Sequence, residues 1–574
     1  MRLCLALVAV VLVVACAFSS MAGAAEISAV PTMECAGVYV KHPKGPNDAK
    51  LKVQWREAGA ETWRPAFRLT RYDANHLATS IFGLKSGAKY EVKVEGVGEP
   101  ATTGFTTRPD FSLPKPRRVV TLEAGASIQA AVGSASAGTE IRIPPGTYSG
   151  GITITKSGTA DAPIVLRGMV PEGEPAKKTW ERTDLPVVDC RAGAATGIDI
   201  RGASHVVIDG ICIKDAKDFG IRLSGAKACV IQKCQIYDTR GRWTANLHVA
   251  GRDSGHHLIQ DNHIADMDHP DPKTYIGADS GTSMPFNYKD PGSRRFTEFG
   301  YRADTPGPRT ILRRNKVESF MNGVDPAFRG EPGKFTPAHE DVLAKWQGHD
   351  IDIYDNTIYH CADGMELDGV GVNIRIFSNR FEKCNQCVTF APVAPGPYFC
   401  VRNLMLDIRW GVLKLNTGMR AGRLNRNVYF FHNTCNAPEH KRAGIVLVYG
   451  GAPSRNIVFR NNIFSSGGKV IDFSRRTTHK VDMDYNIWHS SLKTSRRPVF
   501  CGFGGGGFDR FRQVLTQVTG HPGEPHGMEA DPRLNDDSAL GEGSPAVDKA
   551  VIIPGINEAG FKGNAPDIGA VETR

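Results

Sequence analysis

The long amphipathic helices that are common in globular proteins are missing from this chain of 574 residues. No long stretch has the apolar spacing of an amphipathic helix, and the glycine count of 62 exceeds the usual share of about 7%. No run of about 20 apolar residues follows the N-terminal region, which argues against a later membrane-spanning helix. With 41% hydrophobic and 23% charged residues, the composition is that of a folded protein. We therefore expect two or three domains built mainly from β-strands.

The N-terminus has the pattern of an export signal. A basic residue precedes an apolar run over residues 3–18, and Ala22-Gly23-Ala24 forms a small-residue cleavage site. Residues 1–25 are expected to be removed, which predicts a secreted or periplasmic protein. As an alternative, Val13-Val14-Ala15-Cys16 resembles a bacterial lipobox, in which Cys16 would carry a lipid anchor at the cell envelope.

Cysteine is too sparse and too scattered for a disulfide scaffold. Of 13 cysteines, Cys4 and Cys16 lie in the signal, which leaves 11, an odd number that cannot pair completely. Cys384 and Cys387 form a CxxC pair of the kind found in zinc and redox sites, but Cys361 precedes Cys384 by one repeat of the pattern described below. We therefore expect Cys361 and Cys384 to stack as buried apolar residues.

The first region after the signal alternates in the manner of a small β-sandwich. The stretches LKVQWREAGAETW (51–63) and FGLKSGAKYEVKVEG (82–96) resemble the C strand and the tyrosine-corner segment of a fibronectin type III domain, with Tyr90 as the corner residue. The resemblance implies a β-sandwich over residues 27–107, a module that spaces or binds. The Pro- and Arg-containing segment 108–118 is interpreted as a linker.

A repeated pattern occupies the chain from about residue 119 to about residue 490. Four segments align without gaps, each opening on asparagine and carrying apolar residues at the third and the last but one positions: NKVESFMNGVD (315–325), NTIYHCADGME (356–366), NRFEKCNQCVT (379–389) and NIFSSGGKVID (462–472). One repeat cannot bury its apolar face alone, so neighbouring repeats are expected to stack as rungs about 4.8 Å apart. The asparagines are expected to form an inward ladder that satisfies backbone groups at a turn.

The start of this region identifies the type of repeat. SIQAAVGSASAGTEIRIPPGTYSGGITITKSG (127–158) resembles the opening of a right-handed parallel β-helix of the pectate-lyase type, in which a short helix caps the first coil. The resemblance implies an all-β protein with a β-helix over residues 119–490, and we expect the β-sandwich to pack against its N-terminal end. Residues 491–574 form a C-terminal extension, whose segment 529–572 is expected to cap the last coil.

One outward-facing position of the repeat carries the residues of chemical interest. Side chains alternate along a strand, so if Met365 and Leu367 point into the core, Glu366 and Asp368 point outward. The same position in the other repeats gives a polar row that ends at the apolar Val446: Asp199, Arg222, His248, Asp325, Glu366, Thr389 and Lys414. Such a row is typical of an active-site floor, although a solvated β-solenoid face also carries charge.

Two long segments, residues 267–310 and 328–348, interrupt the repeats on either side of Asp325. Loops of this length are usually functional or disordered, and we expect them to wall a cleft over the polar row. Their basic and aromatic residues suit anion binding and sugar stacking, which makes Arg294, Arg295 and Trp346 candidate substrate-binding residues.

The charge balance favours an acidic partner. The formal net charge of +10 falls to +9 when Arg2 leaves with the signal, and a basic exported protein suits an acidic polymer. No aromatic-basic module for nucleic acid is present in the sequence. The expected partner of a monomeric protein is therefore an anionic polysaccharide.

Enzymes of the pectate-lyase-like superfamily bind polysaccharides across such a sheet, and the resemblance implies a lyase that degrades uronates by β-elimination. In such lyases, acidic side chains hold Ca²⁺ against the uronate carboxylate, and Lys or Arg removes the C5 proton once the developing charge is neutralised. The candidate calcium ligands are Asp325, Glu366 and Asp368. The candidate base, acid and clamp are Lys414, Arg222 and His248, while Asp368 and Thr389 are also candidate substrate contacts.

Three alternatives stay open. A glycoside hydrolase could use Asp325 and Glu366 as paired carboxylates, because repulsion between them would raise one pKa, but the motif set of polygalacturonases is absent. GVDP (323–326) resembles part of the Asp-Pro-His motif of alginate C5-epimerases, with Ala327 in place of the histidine. A glycan-binding or cell-surface protein without catalysis is the third alternative, and the charged row argues against it.

Overall fold

The computed structural model describes most of the chain: residues 26–45, 48–96, 99–169, 178–239, 244–251, 254–267, 299–303, 308–319, 322–325, 348–408, 411–416, 425–438, 446–449, 454–467, 470–473, 480–491 and 507–573. The predicted export signal and the lipobox cysteine Cys16 lie outside these residues. Among the described residues, no helix has the length and apolar character needed to span a bilayer.

The N-terminal region is a β-sandwich of two four-stranded antiparallel sheets, ordered β1-β2-β6-β5 and β4-β3-β7-β8: β1 (Glu26–Pro31), β2 (Ala36–Lys41), β3 (Lys52–Glu57), β4 (Arg64–Pro65), β5 (Thr70–Arg71), β6 (His76–Ile81), β7 (Lys89–Glu95) and β8 (Ala101–Thr106). Alternate residues such as Val53, Trp55 and Val92 fill its core. The buried Tyr90 hydroxyl accepts a hydrogen bond from Lys85 N at 2.8 Å, which is the contact expected of a corner tyrosine. The likeness to a fibronectin type III domain remains a resemblance.

The described residues between Arg118 and Ser490 form a right-handed parallel β-helix, so the predicted fold class is confirmed. Each coil contributes one strand in turn to three parallel sheets, which we call sheets 1, 2 and 3. Sheet 1 contains β12 (Ile152–Ile154), β15 (Thr196–Arg201), β18 (Phe219–Ser224), β21 (Ala245–Ala250), β24 (Phe299–Ala303), β27 (Asn322–Asp325), the start of β30 (Asp363–Phe377), β32 (Gln386–Pro395), β35 (Gly411–Asn416), β38 (Val446–Tyr449) and β41 (Ile471–Phe473).

Sheets 2 and 3 complete the coils. Sheet 2 contains β9 (Arg118–Thr121), β10 (Thr139–Ile143), β13 (Ile164–Gly168), β16 (Val206–Asp209), β19 (Val230–Gln232), β22 (Leu258–Gln260), β25 (Ile311–Arg313), β28 (His349–Tyr354), the end of β30, β33 (Tyr398–Val401), β36 (Arg426–Phe431), β39 (Arg455–Arg460) and β42 (Val481–Asp484). Sheet 3 contains β11 (Thr147–Ser149), β14 (Val187–Asp189), β17 (Cys212–Lys214), β20 (Gln235–Tyr237), β23 (His263–Ala265), β26 (Lys316–Glu318), β29 (Thr357–Tyr359), β31 (Arg380–Glu382), β34 (Leu404–Leu406), β37 (Thr434–Ala437), β40 (Ile463–Ser466), β43 (Ile487–Ser490) and β44 (Met528–Glu529). Short 3-10 turns occur at Asp48–Lys50 and Thr179–Glu181.

An asparagine ladder fixes the turn between sheets 2 and 3. Seven hydrogen bonds of 2.8 to 3.0 Å, each from the side-chain amide of one asparagine to the side-chain oxygen of the next, join eight residues: Asn262, Asn315, Asn356, Asn379, Asn403, Asn433, Asn462 and Asn486. Each follows a residue with positive φ, for example Asp355 at 55°, so the carboxamide supplies hydrogen bonds where the backbone turns sharply. The predicted inward ladder is confirmed, and its last member bonds to the buried Glu524 at 2.7 Å.

Helices close both ends of the β-helix core. Helix α1 (Ile128–Ser134) begins after Ser127, whose side chain accepts from Ala130 N, and it buries Ile128 and Val132 against the first coil. Helix α2 (Phe508–Thr519) buries Phe511, whose ring lies 5.1 Å from that of Trp488 in the last coil. The cap of the last coil is therefore α2.

The expectation that residues 529–572 cap the last coil holds at the start of the segment, where β44 pairs with β43 and Ala530 N donates to Trp488 O at 3.2 Å, but it is wrong for the remainder. Instead this segment runs back along the outside of several coils: Ile568 packs with Ile463 and Ile487, and Arg402 pairs with Glu572 at 3.2 Å. The physical reason is that outward positions of these coils are apolar and must be covered.

The sandwich packs on the middle and later coils of sheet 2, so its expected place at the N-terminal end of the β-helix is also wrong. Tyr39 donates to Asp350 at 2.7 Å, and Phe67 lies between the rings of Phe399, Tyr429 and Phe431. Outward aromatic residues on these strands provide an apolar surface that the sandwich buries. The segment interpreted as a linker is itself packed, since its Phe111 and Leu113 contact the outer valines of earlier coils.

The ten cysteines among the described residues are all buried and unbridged. The register of β29 with β31 places Cys361 and Cys384 one rung apart, as the repeat predicts. Cys387 is equally buried, and the described residues contain no cluster of three His, Cys, Asp or Glu side chains that could hold a metal. The CxxC pair is thus part of the core rather than an accessible zinc or redox site.

Candidate active site

The strand register of sheet 1 aligns the predicted polar residues on consecutive rungs. In chain order, the aligned outward positions are Asp199, Arg222, His248, Arg302, Asp325, Glu366, Thr389 and Lys414, which we call the charged row. The extra residue needed to align Lys414 with Thr389 is present in the register. The next position is Leu447 rather than Val446, which corrects the predicted end of the row.

Arg302 is a member of the row that the sequence pattern does not reveal. Residues 267–310 are expected to form one insertion, but residues 299–303 are strand β24, with Tyr301 in the core and Arg302 opposite both His248 and Asp325. The sequence offers only a weak signal for Arg302, namely an arginine that follows an aromatic residue. No neighbouring repeat lies close enough along the chain to align it. Arg294, Arg295 and Trp346 lie outside the described residues, so their predicted roles stay predictions.

Asp363 is the second residue missed, and it is the most unusual carboxyl group of the region. It lies on β30, three residues before Glu366, and is only 4% exposed. Among the described residues, its Oδ1 atom has no hydrogen-bond partner. Burial and the negative charge of Glu366 raise the pKa of Asp363 to about 7, against the opposing charge of Lys414. Burial therefore favours the protonated form of Asp363 far more than is usual for an aspartate.

The strand that carries this cluster is irregular. Where β30 pairs with β32, the register shifts between Leu367 and Gly369, and β30 then continues from sheet 1 into sheet 2. Bulges of this kind redirect side chains and are frequent beside active sites. Asp368 lies at this shift, but its side chain is not among those described, and the same holds for Asp325. Of the three predicted calcium ligands only the side chain of Glu366 is described, so calcium binding stays a prediction.

The other end of the row is built around an aromatic ring. The guanidinium of Arg222 lies 5.3 Å from the centre of the Phe219 ring, which stacks on the imidazole of His248 at 4.2 Å. On the preceding rung Asp199 pairs with Arg201 at 2.6 Å. Phe219 therefore holds the arginine and the histidine in a fixed arrangement.

The row is too long for all its members to act on one bond. Six rung steps separate Arg222 from Lys414, a distance of about 29 Å along the helix axis at the usual strand spacing. Thr389, between Glu366 and Lys414, is fully buried and bonds to Gln386 at 3.2 Å. The geometry thus groups Asp363, Glu366 and Lys414 at one end and Arg222 and His248 at the other.

Comparison with known proteins identifies no family. No protein-family model matches the chain, and no curated protein matches it. Among solved structures, an alginate lyase from Paenibacillus sp. str. FPU-7 aligns with 60% of this chain and 97% of its own, at 12% identity and a TM-score of 0.36. The tailspike protein gp49 of Pseudomonas phage LKA1 covers 80% of this chain and 67% of its own, at 8% identity and a TM-score of 0.23. A rhamnogalacturonan lyase covers 66% and 75%, at 11% identity and a TM-score of 0.19.

The raised pKa of Asp363 predicts a pH-dependent effect on stability. Since the folded protein holds this proton up to a higher pH than the unfolded chain, the free energy of unfolding falls as the pH rises from about 4 to about 7. Asp363→Asn has no carboxyl group to ionise and so avoids this fall in the free energy of unfolding. The variant is expected to be more stable than the wild type by about 1–3 kcal/mol at pH 8 but not at pH 4. Thermal unfolding of both proteins across this pH range measures the difference.

Asp189→Asn is the matched control for this experiment. Its hydrogen bonds to Arg191 lower the pKa of Asp189, so its substitution is expected to destabilise slightly above pH 4, with the opposite sign. A stability difference for Asp363→Asn that does not grow with pH would contradict the assignment of a raised pKa.

Proposed function

We propose that this protein is an enzyme that cleaves an anionic polysaccharide lying along sheet 1, by β-elimination at a uronate residue. The observation that supports the proposal is the register of the charged row, which places Arg222, His248 and Arg302 on consecutive rungs of one face, followed by carboxylates and by Lys414. Arg222 and Lys414 are partly exposed, so a polymer with acidic groups along its length would meet a cation near each end of the row.

Glu366 and Lys414 are the residues we assign to the reaction. Glu366 is partly exposed, unlike Asp363, and so can reach a substrate. Lys414 provides the positive charge that the uronate carboxylate needs while its α-proton is removed. Glu366 takes the C5 proton as the C4–O4 bond breaks and the C4–C5 double bond forms, and it returns that proton to the leaving oxygen. The products are an unsaturated uronate and a new hydroxyl end.

Asp363 acts through Glu366 and is a positioning residue. While it holds its proton, Glu366 is the single negative charge of the pair, balanced by Lys414. Calcium held by Asp325, Glu366 and Asp368 would supply further neutralisation of the uronate charge. Of those three ligands, only the side chain of Glu366 is among those described. The proton transfer by Glu366 and the charge stabilisation by Lys414 do not depend on the ion.

Hydrolysis is the second candidate, and the raised pKa of Asp363 favours it. A carboxyl group whose raised pKa favours its protonated form, beside a second carboxyl group, is the kind of pair that a glycoside hydrolase uses as acid and base. The burial of Asp363 argues against its direct contact with a glycosidic oxygen, which is why we rank elimination first.

Incubation with a panel of polyuronates, sulfated glycans and neutral glucans, with and without Ca²⁺, tests the proposal. We expect a new ultraviolet absorbance from the unsaturated uronate on at least one polyuronate. New reducing ends without this absorbance would instead establish hydrolysis. Cleavage of neutral glucans alone, or of nothing, would contradict an enzyme for anionic polymers.

A further inference from the structure

The end of the charged row that is remote from Glu366 has the features of an anion-binding site. Arg222 is partly exposed, and its Nε atom is buried with no acceptor among the described residues. Its guanidinium rests on Phe219, and the neighbouring carboxylate Asp199 is engaged by Arg201 at 2.6 Å. A planar guanidinium fixed on an aromatic ring is prearranged for a bidentate bond to an oxyanion.

This site is separate from the reacting groups. Four rung steps lie between Arg222 and Glu366, which is about 19 Å at the usual spacing between strands. No single sugar unit can contact both residues. A polymer can do so only if it lies along the helix axis, and because a pyranose unit is about as long as one rung step, the two residues would contact units about four apart.

We propose that Arg222, supported by Phe219 and His248, forms a remote subsite that binds a carboxylate or sulfate group of the same polymer whose cleavage occurs at Glu366. The inference rests on the proposed function and specifies that the enzyme recognises a charged group of its substrate far from the cleaved bond. Arg302 lies on a rung between the two sites but is only 7% exposed, so no contact with the polymer is assigned to it. The enzyme would therefore favour chains long enough to reach Arg222 from the cleaved bond, and would require the distant unit to be charged.

Chain-length dependence tests the subsite. With oligosaccharides of defined length, Arg222→Gln is expected to lower the ratio of kcat/KM for long chains to kcat/KM for short chains by about tenfold or more, the usual effect of losing a hydrogen bond to a charged group. The matched control is Arg201→Gln, which removes an exposed arginine one rung away that is already paired with Asp199, and is expected to leave the ratio unchanged. If Arg222→Gln keeps the wild-type ratio, the subsite is overturned. This includes the case in which kcat/KM falls by the same factor at every chain length.

Binding measurements separate this inference from the proposed function. Retention on gels containing a polyuronate, a sulfated glycan or a neutral glucan is compared for wild type, Arg222→Gln and Arg201→Gln. We expect Arg222→Gln alone to lose retention on the charged gels, and the gel on which it does so identifies carboxylate or sulfate as the group bound. If this occurs while no polymer is cleaved, the subsite stands and the enzymatic proposal fails. Equal retention of all three proteins would overturn the subsite even if cleavage is observed.

Discussion

Replacing Glu366 by glutamine is expected to lower the turnover of the cleaved polymer on the order of 10²-fold or more. The substitution keeps the shape of the side chain but removes both the proton acceptor and the negative charge of Glu366. Glu366 points outward from β30 while its neighbours Met365 and Leu367 fill the core, so the fold should be unaffected. Steady-state kinetics on the identified substrate, with circular dichroism of both proteins, measure the two effects.

The control for this experiment is Glu382→Gln. Glu382 is also a partly exposed carboxylate on a neighbouring coil, but it lies on sheet 3 and pairs with Arg380 at 3.0 Å. Its loss is expected to leave turnover within the error of the wild type. If Glu366→Gln keeps wild-type activity, or if both variants lose activity equally, Glu366 does not carry the reaction and the charged row is only a solvated face.

The features that the sequence predicts are those set by contacts between neighbouring repeats. The gapless alignment of Asn356 with Asn379 directly reflects a hydrogen bond between them at 3.0 Å, because identical residues stack when one coil follows the next. The alternation around Glu366 is equally local, since Met365 and Leu367 must be buried for the coil to be stable. The register from Thr389 to Lys414 follows from the same rule with one added residue.

The features that the sequence does not predict depend on contacts between residues that are far apart along the chain. Arg302 belongs to a coil whose strand follows a long interruption, so no neighbouring repeat marks its register. Asp363 looks like an ordinary turn residue, and its raised pKa arises from burial and from the negative charge of Glu366, which the charge of Lys414 only partly offsets. The place of the sandwich depends on outward aromatic residues such as Tyr429, which in a single sequence look like further core positions.

A buried charge network joins the sandwich to sheet 2. The guanidinium of Arg375 is fully buried and pairs with Asp352, and with Asp350 at 3.4 Å. From the sandwich, Thr32 donates to Asp352 and Tyr39 donates to Asp350 at 2.7 Å. Burial raises the pKa of Asp352, and the charge of Arg375 opposes that rise. Arg375 is therefore the cation that both carboxylates share, while Asp350 also contacts His349 Nδ1 at 2.8 Å.

Replacing Arg375 by methionine is expected to lower the free energy of unfolding by about 3–5 kcal/mol at pH 7, because it leaves uncompensated carboxylates in the interior. Since Asp352 then takes up a proton at higher pH than in the unfolded chain, the deficit should shrink as the pH falls towards 4. Adding Asp352→Asn to the variant should recover part of the lost stability, whereas Arg380→Met, at a surface ion pair, should cost no more than about 1 kcal/mol.

Urea denaturation followed by Trp fluorescence at pH 4 and pH 7 measures these differences. A deficit for Arg375→Met that is no larger than that for Arg380→Met, or that grows as the pH falls, would show that the pairing with Asp350 and Asp352 does not hold the sandwich on the β-helix.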